Sequence, residues 1–415
     1  MSLAGLKSLQ YYVKRVSGIS RRKIKLTTQN IIDANPGSTI VVSLPPVALD
    51  LSTLVMLGKA TTTNSTAGSY TGISESFHLI EELVLECGGQ QVVVPYNYND
   101  IRHIIDTYQG GDRKNIARCL EQLMPTIKSN TETDGEATVP TTNLAATPFA
   151  ISNWLSLGSM SPKVIDFSVW PETRLKIRLA PVSHACVSNA ATTASYSISD
   201  IQFNVDVLDL PAEFHQAQMQ ALQSGFLEIP FQQWYSFSGS TQAVPNAKLQ
   251  FQINSQSIDA LVVTCKASVN YENVASSLEG RSAAHYDFGE DSITALQVRL
   301  NSLAFPEFGE MSPAQCLLST MDAFLGLSDT MQSSVGALDS LASFTKAHFA
   351  AVVRTNYGTE DMGNRLISGL NAKGAPVNVE VTFKGTGSDN IIPYCHVATT
   401  ASILIGPNRQ LQVQY

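Results

Sequence analysis

Charged residues are scarce in this sequence. Only 15% of its 415 residues are Asp, Glu, Lys or Arg, whereas folded proteins typically contain ~25%. Hydrophobic residues make up 44%, so the chain lacks the low hydrophobicity and high charge that intrinsic disorder requires. The composition therefore excludes a disordered chain, and it indicates that much of the surface faces other protein molecules rather than water.

Long apolar runs are also missing. No stretch approaches the ~18–20 apolar residues of a membrane-spanning helix, and the N-terminus lacks the apolar core of a signal peptide. We therefore expect neither a helical membrane protein nor a secreted one. The cysteines are few and widely separated, which favours reduced thiols in a cytosolic protein over a disulfide framework. They are Cys87, Cys119, Cys186, Cys265, Cys316 and Cys395.

Sequence motifs of catalysis are absent. The chain contains neither a G-x-S-x-G nucleophile motif nor a G-x-x-x-x-G-K-[ST] phosphate loop. Residues 385–390 begin like a dinucleotide-binding fingerprint, but the third glycine and the following helix are missing, so we interpret them as a loop. We expect no enzyme and no cofactor. A β-sandwich glycosidase with two facing carboxylates ~5–10 Å apart stays open at this stage.

Metal-binding patterns are weak as well. The close pairs His184/Cys186 and Cys395/His396 lack the spacing of a tetrahedral zinc site, so structural roles are favoured. Residues 130–135 begin like a calcium-binding loop, but the twelfth position is a threonine instead of the bidentate glutamate. We therefore expect no EF-hand, and only a looser surface calcium site stays open.

Basic residues are concentrated at the N-terminus. Seven of the 27 precede the first acid, Asp33, which leaves 27 − 7 = 20 bases against 35 acids in the remainder. Residues 1–22 are predicted to form a basic arm, whose target is a neighbouring subunit, anionic lipid or nucleic acid. The seven bases are Lys7, Lys14, Arg15, Arg21, Arg22, Lys23 and Lys25.

Alternation of apolar and polar residues predicts a β-rich body. Residues 174–179, 201–207 and 377–383 alternate at period two, and residues 83–94 predict a hairpin that turns at Gly88-Gly89. Helices are predicted between the strands, and two long excursions are predicted at 126–163 and 325–358. The predicted helices cover residues 100–108, 115–124, 211–222, a segment beginning at 313, and 335–353.

Two pairs of short segments share one sequence offset. Residues 191–195 and 398–402 both read Ala-Thr-Thr-Ala-Ser, and 398 − 191 = 207; residues 54–60 align with 261–267, and 261 − 54 = 207. A constant offset predicts two copies of one sandwich in the same register, because a one-residue slip would turn an apolar face outward. The predicted equivalences are Leu54 with Leu261, Lys59 with Lys266, and Ala194 with Ala401.

The duplication carries a family resemblance. Two successive antiparallel sandwiches, each with a helix between its middle strands, resemble the double jelly-roll major capsid proteins of the adenovirus and tailless, membrane-containing phage lineage. The segment IEELVLECGGQ at 80–90 is similar to the strand–Gly-Gly-Gln hairpin of the first jelly roll in that family. ILIGPNRQLQV at 403–413 resembles its final strands. The resemblance extends from about residue 22 to residue 415.

The resemblance implies a mainly β fold of two consecutive antiparallel eight-stranded jelly-roll sandwiches with short inserted helices. We expect a basic arm at 1–22, a first jelly roll at 23–210, a linker helix at 211–226 and a second jelly roll at 227–415. The implied function is that of a major capsid protein, without enzymatic activity, which forms pseudo-hexagonal homotrimers in an icosahedral virus shell.

The implied partners are other copies of the chain, neighbouring capsomers and other capsid proteins. The arm is expected to face the particle interior and to contact an internal membrane or the genome. The implied location is the virion, assembled in the host cytoplasm or another reducing compartment.

The alternative is a duplicated β-sandwich that binds carbohydrate or a receptor, as a spike does. Trp154, Trp170 and Trp234 would then line a sugar-binding cleft, although aromatic residues more often pack in a core or an interface.

Overall fold

A computed structural model describes most of the chain. The described residues are 20–108, 123, 142–188, 193–271, 273, 284–307, 309–325, 341–355, 369–387 and 389–415. The predicted helix at 115–124 therefore lies outside them, apart from the buried Leu123.

The first half of the chain folds into two facing antiparallel sheets. One has the order β1-β11-β3-β7, with β8 also paired to β3, and the other has the order β2-β9-β5-β6. A short pair, β4 with β10, lies outside these sheets. The strands are β1 (Ser20–Thr27), β2 (Thr39–Leu44), β3 (Ala48–Asn64), β4 (Thr71–Gly72), β5 (Ile80–Cys87), β6 (Gln90–Val93), β7 (Thr147–Ile151), β8 (Val164–Asp166), β9 (Thr173–Leu179), β10 (Val187–Ser188) and β11 (Ala194–Asp209).

The second half repeats this strand order. Its sheets are β12-β20-β15-β18, with β13 and β21 also paired to β20, and β14-β19-β16-β17. Both halves thus place their first and last long strands side by side in one sheet. The strands are β12 (Leu227–Ser238), β13 (Gln242–Ala243), β14 (Lys248–Ile253), β15 (Ile258–Ala267), β16 (Ile293–Leu300), β17 (Leu303–Phe305), β18 (Ala351–Arg354), β19 (Val377–Gly385), β20 (Asn390–Ile405) and β21 (Leu411–Gln414).

Helices are short and lie between strands. α3 follows Pro211, whose fixed φ and missing N–H suit a helix start, and it joins β11 to β12. The α-helices are α1 (Tyr98–Tyr108), α2 (Val182–Ala185), α3 (Ala212–Ser224), α4 (Pro313–Leu325) and α5 (Leu341–Ala347). The 3-10 turns are Ser76–Leu79, Leu157–Ser159, Phe167–Val169, Val244–Asn246, Ser268–Asn270, Ala284–Tyr286 and Pro407–Arg409.

Local sequence accounts for several elements. In β9 every second residue is buried, as its Thr-Arg-Leu-Lys-Ile-Arg-Leu alternation predicts. The β5–β6 hairpin turns at Gly88 and Gly89, which have φ values of 56° and 85°. Positive φ at both central residues is what a type I′ turn requires, and glycine reaches it without a Cβ clash. The predicted strands, the hairpin and the jelly-roll fold class are confirmed.

Two predicted elements are wrong. The helix expected over 335–353 is described from residue 341 onward, where α5 ends at Ala347 and residues Ala351–Arg354 form β18, paired with β15. Tertiary pairing of this buried Ala-Val-Val segment overrides its alanine-rich helix propensity. In the expected loop at 126–163, β7 pairs with β3 over five residues.

The uniform 207-residue register is also wrong. The first strands of the two halves begin 227 − 20 = 207 residues apart, but the residues paired with those starts, Asp209 and Ile405, are 405 − 209 = 196 apart. Ala194 begins β11 opposite Asn64, whereas Ala401 lies near the end of β20 opposite Phe231. The Ala-Thr-Thr-Ala-Ser match thus reflects composition.

Two apolar cores are formed, and each takes residues from both halves of the chain. The first core includes Phe231 and Ile403 from the second half. The second core includes Ile101, Ile104 and Tyr108 from α1. The sandwiches are therefore joined through shared apolar packing as well as through α3.

Candidate functional site

Strand β1 carries the described part of the predicted basic arm. It lies at the edge of its sheet and pairs along its whole length with β11. Successive residues of a strand point to opposite faces, so Arg21, Lys23 and Lys25 share one face and Arg22 lies on the other. Two residues assigned to the arm, Arg21 and Arg22, thus belong to the first strand of the sandwich.

Acidic residues of β11 oppose these bases. Arg21 Nε donates to Asp206 Oδ2 at 2.6 Å, and Lys23 Nζ lies 3.7 Å from Asp206 Oδ1. Arg22 Nε lies 3.3 Å from Asp209 Oδ1. The sequence showed no acid near these bases, because their partners are about 185 positions away in the chain and are brought close only by strand pairing.

The remaining arm residues differ. Lys25 makes no ion pair within 4 Å among the residues that the structure describes. Lys7, Lys14 and Arg15 lie outside the described residues. The structure therefore brings together four of the seven predicted site residues on one edge strand, and three of the four are neutralised by their own chain.

We expect Arg21→Ala to lower the free energy of unfolding by about 1 kcal/mol, because it leaves the nearly buried Asp206 with only the more distant Lys23. Lys25→Ala is the matched control on the same strand face, and its effect should stay within about 0.5 kcal/mol. Urea denaturation of the two variants measures the difference. Equal effects of the two substitutions would show that the ion pair between Arg21 and Asp206 does not stabilise the fold.

A buried charged cluster joins the two halves of the chain. Asp100 in α1 meets Lys266 at the end of β15, with Lys266 Nζ 2.9 Å from Oδ1 and 2.8 Å from Oδ2. His285 Nε2 lies 2.8 Å from Lys266 Nζ and 3.2 Å from Asp100 Oδ1. The Lys266 side chain is 0% exposed and that of Asp100 is 5% exposed. In contrast, Lys59, its predicted equivalent, is half-exposed and pairs with Asp200 at 2.6 Å.

Aromatic rings surround the lysine. Its Nζ lies 4.9 Å from the ring centre of Phe288, 5.4 Å from that of Tyr394 and 5.9 Å from that of Tyr286. Such rings present their negative faces to a cation, so they compensate part of its lost hydration. Sequence reasoning missed this cluster, although one signal was present: Lys266 directly follows the largely apolar segment 260–265.

Histidines from the first half complete the cluster. His184 stacks on His285 with ring centres 3.8 Å apart, and His78 stacks on Tyr286 at 3.7 Å. His78 Nε2 also lies 3.1 Å from His103 Nδ1. The junction between the sandwiches is therefore a packed polar layer with imidazoles from both halves.

Burial controls the ionisation of this layer. Burial, together with neighbouring imidazoles, lowers the pKa of His78 well below its usual range and that of His184 to about 3. Burial also lowers the pKa of Lys266, which Asp100 offsets only in part. Burial by itself raises the pKa of Asp100, but Lys266 and His285 together hold it well below its usual range. His78, His184 and His285 are thus neutral at pH 7.

The other candidate site residues from the sequence analysis lie in the packed interior of the protein. All three tryptophans are buried, and Trp154 Nε1 donates to the carbonyl oxygen of Leu54 at 3.0 Å, so they pack in the core instead of lining a cleft. His396 is buried beside Cys395, and its Nδ1 lies 2.7 Å from Ser236 Oγ.

Metal and redox sites are not found in the described part of the chain. No group of three or more His, Cys, Asp or Glu residues there could hold a metal ion. The loop at 130–135 lies outside it, as does Cys119. The five described cysteines are buried free thiols, and burial raises the pKa of Cys87, Cys186 and Cys316 to about 12, which keeps them protonated and unreactive. Within the described helices, none is long and apolar enough to cross a membrane.

A polar depression of about 500 Å³ lies on the outer face of the β14-β19-β16-β17 sheet. Gln250, Glu380 and Arg299 cross it in one row, because the strand register places them opposite one another. Its rim is the β16–β17 turn, where Asn301 and Ser302 have φ values of 48° and 74°.

Comparison of the sequence with protein families and with curated proteins gives no match. Comparison of the structure with solved structures does give matches. The PBCV-1 virus capsid superposes with a TM-score of 0.61 at 12% identity, covering 97% of this chain and 98% of that one. PBCV-1 VP54, fitted into a reconstruction of the virophage Sputnik, gives 0.62 at 11% identity with the same coverage. The Faustovirus major capsid protein gives 0.59 at 9% identity, covering 93% of this chain and 90% of that one. The chain therefore has, over nearly its whole length, the double jelly-roll fold of these viral capsid proteins.

Proposed function

We propose that this chain is the major capsid protein of a virus with an icosahedral shell, and that it has a structural role without enzymatic activity. The observation that carries the proposal is the repeated strand order: two consecutive sandwiches place corresponding strands in corresponding sheets. The solved structures compared above, which match this chain over nearly its whole length, are viral capsid proteins. The buried free thiols suit assembly in a reducing compartment of the host cell.

The functional unit in this proposal is a homotrimer. Two similar sandwiches in each of three chains give six similar wedges, so a closed trimer has a pseudo-hexagonal outline and can tile a shell with neighbouring capsomers and other capsid proteins. A charged fraction of 15% leaves an unusually large share of surface suited to subunit contacts.

We expect the purified protein to be a trimer of about 134 kDa, three times the 44.8 kDa chain. Size-exclusion chromatography with light scattering measures this mass, and electron micrographs should show hexagonal particles or shells. A monomer that persists at micromolar concentration in near-physiological salt would refute the trimer and favour a receptor-binding protein.

The proposed domain division is sandwiches ending at 210 and 415, a linker at 211–226 that includes α3, and an arm that ends at residue 19 instead of 22, so that β1 belongs whole to the first sandwich. We propose that the arm faces the particle interior and contacts an internal membrane or the genome. Because Arg21, Arg22 and Lys23 are paired with β11, the charges available for such contact are chiefly Lys7, Lys14, Arg15 and Lys25.

We expect deletion of residues 1–19 to leave trimers intact but to weaken binding to anionic vesicles by about 100-fold, since three basic residues contribute ~1 kcal/mol each. The cut precedes Ser20, so β1 stays complete. A variant with Lys7, Lys14 and Arg15 changed to alanine keeps the length and isolates the charge. Parallel measurements with uncharged vesicles and with DNA separate a lipid target from a genome target. A truncated chain that no longer forms trimers would make the arm a subunit clamp instead.

A further inference from the structure

The Asp100–Lys266 contact holds an amine against a carboxyl group inside the protein. Lys266 Nζ is almost equally distant from the two carboxylate oxygens of Asp100, at 2.9 and 2.8 Å. Because Cγ is bonded to both of these oxygens, the amine nitrogen also lies close to the carboxyl carbon. The two residues come from different halves of the chain, so the fold alone brings them together.

His285 is oriented to move a proton between them. Its Nδ1 donates to the carbonyl oxygen of Tyr271 at 2.6 Å, which leaves Nε2 without a proton in the neutral ring. That Nε2 lies 2.8 Å from Lys266 Nζ and 3.2 Å from Asp100 Oδ1. One nitrogen lone pair therefore contacts both the nucleophile and the oxygen that would leave.

The surroundings exclude water from the pair, which rests as ammonium and carboxylate because Lys266 and His285 hold the pKa of Asp100 well below its usual range. Lys266 and Asp100 are buried, and the rings of Phe288, Tyr394 and Tyr286 enclose the lysine nitrogen. A charged pair in such a site loses much of its hydration, and transfer of one proton converts it to an amine and a carboxylic acid without net charge. A neutral amine is nucleophilic, and a site that excludes water favours loss of water over hydrolysis.

We propose that Lys266 and Asp100 condense to an intramolecular isopeptide bond that links α1 to β15, with His285 as the proton carrier. After the proton passes from ammonium to carboxylate, the Nζ lone pair attacks Cγ of Asp100. His285 Nε2 accepts a proton from Nζ and delivers it to the departing hydroxyl at Oδ1. One C–N bond forms, one C–O bond breaks and one water leaves, without oxidation or reduction.

The bond is tested by mass spectrometry of the full-length protein after denaturation and tryptic digestion. Trypsin cannot cleave after an amidated lysine, so the expected product is residues 60–102 joined to residues 249–281, lighter by one water than the sum of the two linear peptides. Recovery of only the linear peptides 60–102 and 249–266, from protein whose native mass shows it folded and assembled, would overturn the proposal.

Three variants test whether the isopeptide bond forms as proposed while the fold is retained. Asp100→Asn is expected to give the same joined peptide, because ammonia leaves in place of water. Lys266→Arg keeps the positive charge and should give only linear peptides. His285→Phe, which retains a ring for the stack with His184, should leave most of the protein unjoined while native mass stays unchanged. Complete joining in the His285 variant at the wild-type rate would refute its role as proton carrier.

Discussion

Lowering the pH from about 7.5 to about 5 is expected to destabilise the folded chain by several kcal/mol. Burial lowers the pKa of His396 to about 4 and that of His184 to about 3, whereas an unfolded histidine titrates near 6.5. Below about pH 6.5 the unfolded chain therefore binds protons that the folded chain rejects, so stability falls as pH falls. The cost at pH 5 is about 2 kcal/mol for His396 and somewhat less for the partly exposed His184.

Other groups modify this loss. His78 and His285, whose pKa values burial lowers, add to it in the same pH window. Asp259 opposes it, because burial raises its pKa to about 6 and the folded state then binds a proton that the unfolded carboxylate releases until about pH 4. The slope of the free energy of unfolding against pH should still correspond to the uptake of more than one proton on unfolding.

Urea denaturation at a series of pH values measures that slope. His396→Phe should reduce the slope of the free energy of unfolding against pH by up to about 1.4 kcal/mol per pH unit between pH 6 and pH 4.5. Ser236→Ala is the matched control: it removes the partner of His396 Nδ1 but retains the imidazole, so it should shift stability without changing the slope. A pH-independent stability in the parent protein would contradict the neutral, buried state of these rings.

Gly289→Ala is expected to destabilise the protein by more than about 4 kcal/mol, or to prevent folding. Gly289 has a φ of 140°, which L side chains rarely adopt, and a Cβ there would overlap the carbonyl oxygen of Thr345 and lie 3.0 Å from Phe349 Cβ. The neighbouring backbone cannot give way, because Phe288 pairs with Ala347 and Phe349 through hydrogen bonds of 3.0 and 2.6 Å.

Gly374→Ala separates the clash from the backbone strain. Gly374 also has a positive φ, 83°, but a Cβ there meets nothing within 4 Å. Only the cost of a left-handed residue should appear, about 1 kcal/mol. Thermal or urea denaturation of both variants, with native mass as the test of folding, compares them. Equal losses would mean that the contact of Gly289 with Thr345 is not what constrains that position.

Elements with a strong local signal could be predicted from the sequence. The alternation in β9 and the Gly88-Gly89 turn depend on neighbouring residues, because strand faces alternate and a two-residue turn needs positive φ. Segment 351–354 could not be predicted as a strand, since its conformation depends on pairing with β15, nearly a hundred residues earlier. The prediction of a duplicated fold is correct, although the constant 207-residue offset on which it was based is wrong. Short matches of Ala, Ser and Thr arise easily by chance in this composition.

The site was harder to predict than the fold. The bases of β1 appear unopposed in sequence, yet Asp206 and Asp209 lie beside them once β1 pairs with β11. The Asp100–Lys266–His285 cluster combines residues that lie up to 185 positions apart, so no local pattern points to it. Only Lys266, which follows the largely apolar segment 260–265, gave a local indication.

The sharing of apolar residues between the cores has a consequence for modularity. Phe231 and Ile403 complete the first core, and Ile101 and Ile104 complete the second, so neither sandwich encloses its own interior. A half expressed alone would expose these side chains to water and would lack the residues that fill its core. The duplicated halves have thus become mutually dependent, and the chain should unfold in one cooperative transition instead of two. If one half were exchanged between related proteins, the residues of the other half that complete its core would have to be exchanged with it.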